Sequence, residues 1–393
     1  MRIMRIALAL LLACPTTTFG AALAPDDDDA TCPWCKDDPE LLARLGALSH
    51  GPMPIAETTS EEIARELPSG EGWRFLETPH FRFASSLGPQ SLNAKMRAEL
   101  EPFLAELRVA CPDLDPRPRK LDPWLRLHLL AMRAEAFYER FQRLLGVTDA
   151  DFPAERRIDE PYMGAGPYLG EKDKFELVWH ARRATHRMFT LDQMGVEVTD
   201  ALRWHFGSAH KMLASIPAED SDLRSDEWLF PHSAHLMSHL FLCAYKHFSY
   251  APPVWLDEGL AHALERELNP VSTTIDGDEG GGPHRGDHQD WSGRDVRLAK
   301  KNDATPLAVL MHAKTFTEMS LDDHVTAWSI ARFLIEEHPD GLARFLGGVK
   351  GQLDEDGNAT GANLVDLQRR LLQEIWSWTP DDLDAAWRAW LLE

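Results

Sequence analysis

The sequence predicts an α+β protein, on three observations. Residues 73–84 and 175–179 read as short strands, longer segments carry apolar residues at 3.6-residue spacing, and from Pro306 to the end the pattern is helical. The chain has 393 residues, 44% of them hydrophobic, which is enough to bury large cores. Lys+Arg 41 against Asp+Glu 63 leave a net charge of −22, with no basic cluster that could displace counterions from phosphates, so no nucleic-acid partner is expected. Five cysteines are too few for a disulfide scaffold. The unusual number is 17 histidines, of which His205, His210, His232, His235, His239, His247 and His262 fall within 58 residues.

Residues 1–24 have the layout of an export signal: Arg2 and Arg5, an apolar run too short to span a bilayer, then small and hydroxylated residues. Leu11-Leu12-Ala13-Cys14 resembles a bacterial lipoprotein box, which would make Cys14 a lipidation site and the lipid the only membrane attachment. Cleavage near Ala22 or Ala24 is the other route. Either route places the mature chain in the bacterial cell envelope, the periplasm or the medium.

Residues 25–70 are polar and punctuated by Pro and Gly, and read as an extended arm with one helical patch at 40–45. The arm carries Cys32-Pro33-Trp34-Cys35, which in an oxidising compartment reads as a small disulfide loop between Cys32 and Cys35. Half of a zinc site, with His50 the nearest further ligand, is the alternative. Cys111 and Cys243 stand singly, and spacing cannot pair them.

Residues 71–270 hold the elements that bear on chemistry. Trp73-Arg74-Phe75-Leu76-Glu77 and Phe81-Arg82-Phe83-Ala84 flank Thr78-Pro79-His80 as strands at a turn. Helices follow over 92–109 and 124–145, the second with Pro123 in its first turn, where proline is tolerated. After the strand at 175–179 come a histidine-dense helix over 227–248, a break at 249–253, and a helix over 255–268. Residues 271–304 read as a long polar loop, in which His284 and His288 are exposed loop histidines and Asp276-Gly277-Asp278-Glu279 lacks the spacing of a calcium loop. Residues 305–393 form a helical subdomain, with helices over 325–338, 364–378 and 381–392.

His235-Leu236-Met237-Ser238-His239 places two imidazoles one turn apart on one helix face, a spacing at which both reach a single ion. Glu258, in Trp255-Leu256-Asp257-Glu258-Gly259, lies in the first turn of the next helix. Two His from one helix and a carboxylate from the next make the donor set of a zinc hydrolase. His232, His262 and Asp257 are candidates for a further ligand or for a group that orients one. Cys243 and His247 continue the four-residue stripe, but drift and rise carry them away from the same ion.

These two segments resemble the gluzincin metallopeptidases, whose motif is H-E-x-x-H followed by a Glu in a W-L-x-E-G-x-A-like helix. The resemblance implies a zincin-like metallopeptidase fold, with a mixed sheet before the motif helices and a mainly helical C-terminal subdomain after them. It also implies zinc held by His235, His239 and Glu258. Where the family carries its general base, this chain has Leu236, which can neither take nor return a proton. General acid–base assistance is worth about 10²–10⁴ in rate. The expectation is therefore an exported pseudopeptidase that keeps its metal ligands and binds a peptide or protein. The rivals are an active zinc hydrolase with a base from elsewhere and a metal-free structural protein of the envelope.

Overall fold

The computed structural model describes residues 31–70, 72–154, 161–220, 222–277, 280–283 and 290–393. The export segment with Cys14, and the loop histidines His284 and His288, lie outside the described residues. Along the chain run α1 (Pro39–Arg44), β1 (Pro54–Ile55), β2 (Thr58–Thr59), α2 (Ser60–Glu66), β3 (Arg74–Glu77), β4 (Phe81–Ser85), β5 (Gln90–Ser91), α3 (Ala94–Ala110), β6 (Lys120–Leu121), α4 (Pro123–Leu145) and β7 (Phe175–His180). There follow α5 (Arg183–Met194), β8 (Leu202–Phe206), β9 (Lys211–Pro217), α6 (Asp226–Ala244), α7 (Val254–Leu268), β10 (Thr274–Gly277), β11 (Gly280–Pro283), α8 (Trp291–Lys301), α9 (Leu307–Leu310), α10 (Leu321–Glu337), α11 (Pro339–Val349), α12 (Leu364–Trp376) and α13 (Pro380–Leu392). Among the described residues no helix is long and apolar enough to cross a membrane.

The architecture is α+β around a five-stranded mixed sheet of order β3-β4-β7-β9-β8, in which β4, β7 and β9 are parallel and the two outer strands antiparallel. The two-residue period of the strands sorts their side chains between two cores. Phe81, Phe83, Phe175, Leu177, Trp179, Ala214 and Ile216 meet α4 and α6. Ala84, Val178 and Leu213 turn the other way, onto Ile63 of α2 and Phe189 of α5. β7 is buried along its whole length, as expected of a strand covered on both faces. α6 is buried on nearly every side, so its polar residues must find partners inside the protein.

Several segments depart from expectation. Residues 31–70 are no extended arm: Met53, Ile55, Ile63 and Leu67 pack on the sheet, while Cys32, Cys35, Leu42 and Leu45 join the opposite core. Their apolar positions are too few to show a period, yet each meets a preformed face. Thr59 and Glu62 form the capping box that starts α2, a signal that was present in the sequence. α6 stops at Ala244 rather than near 248. Lys246 donates its N–H to Leu169 O at 2.7 Å, and a Cβ on Gly170 would lie 2.4 Å from His247 N, so a neighbouring segment ends the helix. The stretch expected as a loop over 271–304 holds the β10/β11 hairpin and α8, a helix that buries Trp291, Leu298 and Ala299.

On the α2/α5 side of the sheet, His180, Ser215 and His186 form a relay that is complete only with neutral rings. His186 donates from Nε2 to Asp200 O at 2.7 Å, so its Nδ1 accepts from Ser215 Oγ at 2.9 Å, and Ser215 accepts in turn from His180 Nε2 at 2.9 Å. Burial pushes His186 down to about 4, and it pushes His180 down as well. The unfolded chain therefore binds more protons than the folded one below an ordinary histidine pKa. The contribution of this pair to stability is expected to be complete above pH 6.5 and to fall toward pH 4, with His186 alone responsible for up to about 3 kcal/mol. Urea unfolding across that window checks this, and His186→Gln should flatten the slope.

Candidate metal centre

The first turn of α6 is fixed before any ligand is considered. Arg126 of α4 and Asp226 at the start of α6 form a buried ion pair at 2.6 Å, and Arg126 also donates to Gly88 O at 2.7 Å. Pro231 supplies no N–H to the carbonyl of Glu227, one turn back, and Asn269 at the end of α7 donates its Nδ2 to that oxygen at 3.2 Å. α6 thus runs locked against α4 and α7.

Its two histidines meet Nε2 to Nε2 at 3.1 Å. Each Nδ1 faces a carboxylate from α7: His235 faces Glu265 Oε2 at 3.1 Å, and His239 faces Asp257 Oδ2 at 2.8 Å. A carboxylate behind Nδ1 fixes the tautomer that turns the Nε2 lone pair forward, the arrangement characteristic of metal-binding histidines. Glu258 Oε1 stands 3.9 Å from His239 Nε2 and completes a three-residue group able to hold a metal ion. The three residues singled out by spacing are thus brought together.

The cluster extends beyond them. Glu258 Oε2 lies 3.6 Å from His262 Nε2 and 3.5 Å from His324 Nδ1, and those two nitrogens are 3.1 Å apart. Glu258, His262 and His324 form a second group able to hold a metal ion, joined to the first through one carboxylate. Burial pushes His262 down to about 3, so its ring is neutral. Burial opposes the charge of Glu265, yet His235 Nδ1 at 3.1 Å and His262 Nδ1 at 3.7 Å hold it well below the usual carboxylate range. It also accepts from Ser272 Oγ at 2.8 Å and from Thr274 N at 3.0 Å. His235, His239, Glu258, His262, Glu265 and His324 are each at most 2% exposed.

The other candidates sort by geometry. Asp257 orients His239, and His262 belongs to the cluster. His232 turns Nδ1 toward Thr274 Oγ1 at 2.9 Å and stands with the supports of Glu265. Ser238 donates to Ala234 O at 2.8 Å, which occupies its proton on the backbone, and Leu236 is buried in the apolar core. His205, His210 and His247 belong to a separate cluster around the buried Glu171, which accepts from His247 Nδ1 at 3.0 Å and from Phe248 N at 2.7 Å. Cys32 and Cys35 are free thiols rather than the expected disulfide, held beside His50 and His128.

Spacing did not reveal Glu265 or His324. Glu265 lies two turns beyond Glu258 on the same face of α7, so the stripe Glu258, His262, Glu265 was available in the sequence. His324 comes from α10 and has no local signal. It arrives because α7 and α10 touch at Gly259, where an added Cβ would lie 2.6 Å from Ala327 O. No family model matches the chain, and neither does any curated protein, so the donor set itself carries the functional reading.

Two outcomes test this geometry. Asp257→Asn should weaken binding of zinc(II), used as the probe, by about 10–100-fold in competition with a chromogenic chelator, because His239 loses the group that orients it. Gly259→Ala gains up to about 1 kcal/mol in helix propensity but sets a methyl against an unyielding backbone oxygen, at about 1–3 kcal/mol. The net expectation is a loss of about 1–2 kcal/mol in urea unfolding, with weaker metal retention as His324 moves from Glu258.

Proposed function

We propose that this protein is an exported, zinc-binding protein of zincin-like, metallopeptidase-like design that does not hydrolyse peptides and serves as a binding or scaffold protein of the cell envelope. The observation that carries the proposal is the pair of Nε2 atoms 3.1 Å apart, each ring backed by a carboxylate. Ligand nitrogens about 2.0–2.1 Å from a tetrahedral zinc lie about 3.3 Å from each other, so the pair fits that ion without rearrangement. With both Nδ1 atoms turned to carboxylates, the two Nε2 atoms need a shared proton or a cation between them, and the Glu265 carboxylate keeps negative charge inside the protein. A divalent cation relieves both.

Bound zinc would supply Lewis acidity and fixed positive charge at His235, His239 and Glu258. The chain's own residues do the rest: Asp257 and Glu265 hold the two rings, and His262 and His324 hold the second oxygen of Glu258. None of these groups replaces the missing general base, because Asp257 and Glu265 are engaged on ring nitrogens and Leu236 lies in the core. The near-complete burial of the cluster also favours binding over turnover, since a peptide bond must reach the metal to be cleaved. Export rests on the N-terminal segment. A peptide or protein partner rests on the resemblance to enzymes that grip a peptide chain.

The purified protein is expected to carry zinc that His239→Ala reduces, and to show no chelator-sensitive cleavage of unstructured peptides. Zinc below about a tenth of an equivalent after mild preparation would overturn the metal assignment in favour of a metal-free structural protein, since structural zinc sites bind tightly. Chelator-sensitive cleavage that disappears in His239→Ala would overturn the non-hydrolytic assignment.

A further inference from the structure

A second set of metal donors stands away from α6 and α7, where residues 31–50 dock on the start of α4. Cys32, Cys35, His50 and His128 present four donor atoms within 4.8 Å of one another. Cys32 Sγ lies 3.5 Å from His128 Nε2, and Cys35 Sγ lies 3.6 Å from His50 Nε2. In a tetrahedral zinc site with sulfur at about 2.3 Å and nitrogen at about 2.0–2.1 Å, a sulfur–nitrogen edge is about 3.6 Å long. Cys32, Cys35 and His128 are at most 1% exposed, and the two sulfurs are not bonded to each other.

The surroundings aim these donors at one another. Asp37 contacts His50 through Nδ1, which leaves Nε2 facing Cys35. The turn is positioned by Trp34, which donates Nε1 to Asp122 Oδ2 at 2.9 Å, while the other oxygen of Asp122 caps α4. His128 lies in the second turn of that helix.

We infer that Cys32, Cys35, His50 and His128 form a closed structural zinc site that staples residues 31–50 to the first turns of α4. Two thiolates and two imidazoles are the donor set of structural zinc, with no position left for water. The ion neutralises both sulfurs inside the core, where unpaired thiolates would be costly. The N-terminal segment is thereby tied to the helix that carries Arg126, and through Arg126 to α6. The site shares no residue with the His235 centre and does not rest on the function proposed for it.

The test uses the full chain, prepared under reducing conditions and reconstituted with cobalt(II) as the probe. Thiolate-to-cobalt charge-transfer absorption in the near ultraviolet is expected in the wild type and in His239→Ala, because among the described residues this is the one group of metal donors that contains sulfur. Cys35→Ser and His128→Asn should lose that band or shift it strongly, and each should bind about one zinc equivalent fewer than the wild type. If these variants do not fold, a thiol-specific mercurial on the wild type should release about one zinc equivalent in step with modification of two thiols. A wild type without the charge-transfer band, or mercurial modification that releases no zinc, would overturn the site. So would a Cys32–Cys35 disulfide in the isolated protein that takes up no zinc after reduction.

Discussion

Between α6, α7 and α10 six ionisable side chains are taken almost wholly out of water, and every neighbouring element is arranged around that burial. An isolated buried charge is very costly, so each group has to meet a partner of opposite character at short range. His235 and His239 meet carboxylates behind and each other in front, and Glu258 divides its two oxygens between α6 on one side and His262 and His324 on the other. The arrangement tolerates little motion. Arg126 and Asp226 hold the first turn of α6, Asn269 holds the carbonyl freed by Pro231, and Gly259 lets α10 approach until His324 reaches Glu258.

The surrounding layers exclude solvent and set the local dielectric. Trp291 of α8 stands edge-on to His262 with ring centroids 4.7 Å apart, and the Arg266 guanidinium lies 4.9 Å from the Trp291 ring and 5.3 Å from the Trp328 ring. That cation–π stack ties α7, α8 and α10 together over the cluster. The sheet acts from the opposite side: Trp179 of β7 donates Nε1 to Ser233 Oγ at 3.1 Å, and Ser233 donates in turn to Leu229 O within α6. The hydrophobic layers thus secure a polar centre whose own contribution to stability is small or negative without a cation.

Much of this was legible in the chain because the signals are local. A four-residue His spacing on a helix, a proline break and an acidic first turn of the next helix all lie within 24 residues, from His235 to Glu258. The short strands β3 and β4 and the long helix α4 were readable from period and flanking proline. β9 is buried at every position and so shows no alternation, whereas α8 carries its buried Trp291, Asp295, Leu298 and Ala299 at helical spacing within an otherwise polar stretch, so its period was available in the sequence. His128 and His324 carry no local mark at all, since each becomes a donor only when its helix is set against another segment.

The sequence alone determined which residues could serve as ligands on α6 and α7, because helix geometry ties spacing to facing. The tertiary structure decided the rest: Glu265 and Asp257 as supports, His262 and His324 as companions of Glu258, and the docking of the cysteine-bearing segment on α4 beside His128. These are contacts between segments up to 96 residues apart, made by packing one face against another. Such contacts leave no trace in local order, because the energy that selects them is the burial of whole surfaces rather than the preference of any one stretch of chain.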